Sequence, residues 1–167
     1  NKLVHQWRSE ESAIMVGTQT VIADNPKLTV RHVVGKNPVR IFLDRELQVD
    51  SQFAILDNSV PTIIFNQRIE KKEGNNHYIK LDEENYNLSR ILQSLHSYGI
   101  MSILVEGGSK LLQSFIDNNI WDEARVITNT ELHLFSGVAS PVLKDAIAGE
   151  LLPIQNDSIA FYHNNVQ

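Results

Sequence analysis

The chain has 167 residues, a formal charge of −5, and 42% hydrophobic and 21% charged content. That allows one domain with a substantial core, and offers none of the basic balance that grips nucleic acid or an anionic membrane. The absence of cysteine excludes disulfides, thiolate catalysis and Cys-ligated zinc.

The six histidines fall at no metal-ligand spacing, so no metal site is expected. No run approaches the ~20 apolar residues of a membrane span, and nothing has the layout of a secretion signal. A cytoplasmic location is therefore expected.

In chain order, KLVHQWRSEES has apolar residues at 3, 4 and 7 and reads as the end of a helix. The chain begins inside this helix without a Met, which suggests a piece of something longer. AIMVG (13–17) is a short buried strand. In TQTVIADNPKLTVR the DNP triplet marks a turn, because the residue before proline is pushed out of the helical region.

VRIFLD (39–44) and VPTIIFN (60–66) are buried strands, and HYIKL (77–81) alternates like a more exposed one. NLSRILQSLHSYG (87–99) has apolar residues at 88, 91, 92 and 95 and a closing glycine, the pattern of an amphipathic helix. SILVE is a strand, SKLLQSFIDNN a helix, and EARVITNT and SIAFYHNN are strands. FSGVASPVLKDAIAGELLPIQN (135–156) reads as an irregular surface excursion. The alternation of strands and helices implies a single α/β domain with a mostly parallel sheet.

Two constellations carry chemistry. In VEGGSK a strand exits through Glu106 into Gly107-Gly108 and a helix beginning at Ser109. Glycines let backbone approach an anion, and a helix start offers unpaired N–H groups; Ser109 and Lys110 would add a hydroxyl and a charge. The plainer reading is a tight connection with Ser109 as helix cap. Neither GxGxxG nor GxxxxGK[ST] is present. Glu106 stands at a strand's carboxyl end, where α/β sheets bind ligands, and is suited to hydrogen-bonding a polar ring or to proton transfer.

The second constellation follows the first strand: Gly17, Thr18, Thr20, Asp24, Asn25, Pro26, Leu28 and Arg31. Arg31 has the fork that suits a phosphate, whereas Asp24 alone reads equally as a turn residue. Asp44-Arg45 closes the second strand. It is either a ribose-binding acid beside an arginine for the 2′-phosphate of NADP, or a solvated charge pair.

Taken together, GTQTVIADNPKLTVR and VEGGSKLLQSFIDNNIWDE resemble the reductase domain of the bifunctional riboflavin-biosynthesis deaminase/reductase, over about residues 1 to 130. The resemblance implies a dihydrofolate-reductase-like fold and NADPH-dependent reduction of the ribosyl group of 5-amino-6-(5-phosphoribosylamino)uracil to ribityl. Matched by position, it implies Arg8, Leu28, Arg31 and Glu106 around the substrate, with the arginines at its phosphate. The cofactor would meet Thr20, Asp24, Arg45 and the run Gly107, Gly108, Ser109, Lys110, Leu111 and Ser114. Asp24 and Glu106 would be the carboxylates to test for the proton.

It also implies a homodimer, with VIT and FYHNN as edge or interface strands, and a zinc deaminase domain in the full-length chain. This chain begins after the first strand usual in the family, so a cofactor-competent but impaired fragment is expected. Two readings compete: another reductase of this fold acting on a pterin or a different pyrimidine, and a non-catalytic nucleotide-binding module.

Overall fold

The computed structural model describes residues 2–132 and 136–165. The chain packs as two compact units, Asn1–Gly108 and Ser109–Gln167.

In the first unit, four runs of β-branched and aromatic residues become the inner strands of a sheet buried on both faces, as parallel pairing requires. They are β1 (Ala13–Gly17), β2 (Val39–Leu43), β3 (Thr62–Asn66) and β5 (Asn76–Lys80). The sheet order is β4-β5-β3-β2-β1-β6, where β4 is Lys71–Glu73 and β6 is Ile103–Val105. All pairs are parallel except β4 with β5, a hairpin that the sequence reading passed over. Every residue of β3 is buried.

Alternate residues of these strands feed one core. Ile14 and Val16 of β1, Phe42 of β2 and Ile64 of β3 pack with Val21, Leu28, Val49, Ile55 and Leu56. Burying each such side chain stabilises by about 1.5–3 kcal/mol. Beside it, Arg40 is fully buried. Its guanidinium donates to Thr62 Oγ1 (2.9 Å) and the Val60 carbonyl (2.9 Å), and pairs with Asp57 at 3.0 Å. A buried charge is tolerable only when its donors are satisfied in this way.

Three helices frame the sheet. α1 (Lys2–Glu10) buries His5 and Trp7. α2 (Thr18–Asp24) begins directly at the end of β1 and stops at Asn25, whose φ of 42° is the left-handed cap. α3 (Leu88–Ser97) is capped by Asn87, whose side chain accepts from the Arg90 amide, and buries Ile91 and Leu95.

In chain order the strands advance from β1 through β2 and β3 to β5 on one side. The chain then returns by way of α3 to lay β6 against the other side of β1. The direction of winding therefore reverses between β1 and β6. In open parallel sheets, the crevice at the carboxyl ends beside such a reversal is where ligands bind.

The second unit holds α4 (Ser109–Asp117), which buries Leu111, Phe115 and Ile116, and an antiparallel sheet of order β7-β9-β8. β7 (Glu123–Asn129) and β9 (Asp157–Asn164) were expected. β8 (Ala146–Ile154) was not: it lies within the stretch read as irregular, whose first residue, Phe135, is outside the described residues. Among the described residues it pairs with β9 alone, and it carries a register shift between Ala148 and Leu151. Gly149 and Pro153, which argue against an inner strand, are tolerable on such an edge. β9 is paired on both sides, so of the two proposed edge stretches only VIT lies on an outer strand of this sheet.

Among the described residues, no helix is long and apolar enough to cross a membrane.

Candidate active site at the reversal of the sheet

The register of β1 with β6 pairs Met15 with Val105, so the next residue of each strand leaves at the carboxyl end. The Glu106 amide donates to the Met15 carbonyl at 2.9 Å, extending the ladder one residue and fixing the backbone from which the Glu106 side chain projects.

That carboxylate is held by Arg8 of α1. Arg8 Nε donates to Oε1 at 2.8 Å and Nη2 to Oε2 at 2.5 Å, a two-pronged fork between half-buried groups. Such charge-assisted pairs are the strong, orienting kind. The third guanidinium nitrogen, Nη1, reaches the Thr29 carbonyl at 3.4 Å. Both Glu106 oxygens keep further acceptor capacity, so the group is oriented yet still able to receive a ligand's N–H or O–H.

Gly107 and Gly108 follow with φ of 79° and 81°. At Gly107 a Cβ would meet Thr20 Cγ2 at 3.2 Å and Oγ1 at 3.5 Å. The β1 and β6 exits thus touch through Thr20 and a residue that must lack a side chain. Thr18 is spent differently: its hydroxyl donates to the Leu43 carbonyl and ties α2 to the end of β2.

The remaining residues divide. Leu28, with φ of 51°, is buried in the core. Arg31 is exposed, and its main-chain N–H donates to His5 Nδ1 at 3.2 Å. Asp24 is exposed at the end of α2. Arg45 is exposed, with its guanidinium 4.8 Å from the centre of the Tyr86 ring. That ring is anchored by its hydroxyl, which donates to the Phe65 carbonyl at 3.0 Å. Burial pushes the phenol well above its usual pKa, against the opposing charge of Arg45.

Asp44 is neither a solvated charge nor an open ribose acceptor. It is fully buried, and its two oxygens accept from the Gln48 and Val49 amides at 3.0 and 2.9 Å. It builds the turn that presents Arg45.

In the second unit, Ser109 and Lys110 open α4, Lys110 is exposed and Leu111 buried, and the Ser114 hydroxyl donates back to the Leu111 carbonyl at 2.7 Å.

Within the first unit the donors fit a phosphorylated cofactor in kind: Thr20, the bare glycine backbone of Gly107 and Gly108, and Arg45 supply the hydroxyl, N–H and cationic groups that phosphates take.

Sequence reasoning missed His5. It is buried beside His32, the two rings meeting edge-on with centres 4.5 Å apart. The only local signal was its place one turn before Arg8 on a helix face shared with Val4 and Trp7.

Fold and site together define an α/β protein with an arginine-forked carboxylate and bare glycine backbone at the reversal of a mostly parallel sheet. Residues 1–130 match the RibD C-terminal domain, and the chain belongs to that family.

It is 37% identical over 134 residues to the 2,5-diamino-6-ribosylamino-4(3H)-pyrimidinone 5′-phosphate reductase of Aquifex aeolicus, covering 75% of this chain and 60% of that protein. It is 41% identical over 128 residues to the riboflavin biosynthesis protein RibD of the same organism, covering 72% of this chain and 35% of that one. The crystal structure of the Thermotoga maritima diaminohydroxyphosphoribosylaminopyrimidine deaminase/5-amino-6-(5-phosphoribosylamino)uracil reductase is similar with a TM-score of 0.80 at 29% identity, covering 97% of this chain and 48% of that one. The fold is the dihydrofolate-reductase-like one expected from the motifs. The matches span about a third to two thirds of these curated relatives.

Proposed function

We propose that this chain carries the NADPH-dependent reduction of the ribosyl group of 5-amino-6-(5-phosphoribosylamino)uracil to ribityl, a step of riboflavin biosynthesis. The observation that most supports the reading is the Glu106 carboxylate, forked by Arg8 at the reversal point of the sheet and followed at once by bare glycine backbone.

When bound, a reduced nicotinamide supplies the hydride for C1′ of the open-chain sugar. The protein's share is placement and a proton. Arg8 keeps Glu106 aimed, so that its carboxylate accepts from the exchangeable hydrogens of the pyrimidine or its ribosylamino nitrogen. Arg31 is exposed and free to meet the 5′-phosphate, while Arg8 acts on the substrate through Glu106. Thr20, Asp24, Arg45 and the run Gly107, Gly108, Ser109, Lys110, Leu111 and Ser114 hold the cofactor, with Arg45 selecting the 2′-phosphate. Asp24 is the second carboxylate to test as the source of the proton that balances the hydride.

In this reading residues 1–167 form a reductase domain that works in the cytoplasm as a homodimer, as its bifunctional relatives would work beside a deaminase domain.

One observation favours a second substrate. The 37% identical relative is named for the diaminopyrimidinone, which carries an amino group where the uracil has a carbonyl. NADPH oxidation should be followed by absorbance with each substrate in turn. Faster turnover of the uracil supports the proposal; turnover of the diaminopyrimidinone alone reassigns the substrate; oxidation with neither leaves the nucleotide-binding module as the better reading.

A further inference from the structure

Resting on the reductase reading, we propose that His5 is a positioning residue: its Nδ1 holds the Arg31 main chain, and with it segment 28–31, in the geometry that receives the substrate's phosphate.

The hold is direct. The Arg31 amide donates to His5 Nδ1 at 3.2 Å, which requires that nitrogen to be unprotonated and leaves the ring's hydrogen on Nε2. One turn further along α1, Arg8 Nη1 reaches the Thr29 carbonyl at 3.4 Å, so the same helix grips the segment at two points. The segment needs an external hold, because Leu28 enters it with φ of 51°, a costly backbone for a leucine. Arg31 itself is exposed, so only its main chain is tied and its guanidinium stays available.

The surroundings keep His5 neutral. Burial, then Arg8 on its own helix and His32 and Arg31 on the facing segment, lower its pKa, while the Thr29 carbonyl pulls the other way. A buried imidazole is a poorer core filler than leucine, and its use here is as an acceptor.

The test uses His5→Phe, which keeps a ring and removes the acceptor, and His5→Asn, whose Oδ1 replaces Nδ1. Ribose 5-phosphate affinity is measured by calorimetry, beside KM, kcat and NADPH affinity, on the full chain. His5→Phe should weaken ribose 5-phosphate and raise KM about tenfold, the loss of one such hydrogen bond. It should lower kcat less than about threefold and leave NADPH affinity unchanged, and His5→Asn should recover most of the loss.

Wild-type affinity in His5→Phe, or no recovery in His5→Asn, overturns the proposal. If His5→Phe does not fold, the pH dependence decides. Below the ordinary imidazole value the wild type should lose ribose 5-phosphate more steeply than His5→Asn, and parallel curves overturn it. A wild type that binds no ribose 5-phosphate also overturns it. One that binds the sugar phosphate but turns nothing over refutes the reductase reading and leaves this one standing.

Discussion

The two sheets of this chain are built from opposite kinds of strand. In the six-stranded sheet β3 is buried at every position and β1 at four of five, whereas β8 of the three-stranded sheet has no fully buried residue. The first is covered on both faces and draws its stability from apolar area. The second is an antiparallel ribbon in which Ile127, Ile147 and Leu151 are each at least half exposed. Parallel pairing requires burial and antiparallel pairing does not. Precision follows from burial. Glu106 leaves the end of β6 tied to the β1 ladder, and Arg8 and Thr20 reach this exit from α1 and α2, the helices on either side of β1 in the chain.

The largest effect expected from this contrast is on stability. Phe42→Ala, at a fully buried site, should cost about 3–5 kcal/mol. Leu151→Ala, on exposed β8, should change stability by less than about 0.5 kcal/mol. Urea unfolding of both variants checks this, and comparable losses would break the contrast.

A middle-sized effect tests the contact between strand exits. Gly107→Ala places a Cβ against Thr20 at a φ of 79° and should destabilise by about 1–2 kcal/mol. Thr20→Ser, which removes the crowding Cγ2, should relieve the steric part of the cost when combined with it.

The smallest effect is a pH dependence. His5 titrates near 6.5 when unfolded and lower when folded, so below that pH the unfolded chain binds more protons. Its contribution is therefore full above about pH 6.5 and is lost as the pH falls through the folded value. Unfolding free energies from pH 8 down to about pH 5 should decline more for the wild type than for His5→Asn.

The buried sheet was legible because its strands are short, apolar and β-rich between turn signals, and AIMVG reads as a strand at its true bounds. α3 was legible from its period and Gly99, and the structure adds the Asn87 cap. α2 was not foreseen: a seven-residue stretch with four β-branched residues has little helical preference, and the helix is completed by its position after β1 and the Asn25 cap. β4 is all exposed and β8 nearly so, with no alternation to read, and each is a strand because its neighbour in a hairpin makes it one.

For the site, Glu106 and the glycines were visible as a strand exit. The Arg8–Glu106 fork joins residues 98 apart in sequence and arises from the β1–β6 register, which no local pattern encodes. Asp44 shows the converse error, a residue with a chemical look whose oxygens are consumed by its own turn.

The central claim is that Glu106 orients substrate while separate groups hold the cofactor. The most direct measurement is Glu106→Gln, titrated with NADPH by fluorescence and assayed for turnover in the same preparation. The account predicts NADPH affinity within about threefold of wild type and turnover reduced by about 10²-fold or more. Retained turnover, or NADPH binding lost together with activity, would contradict it.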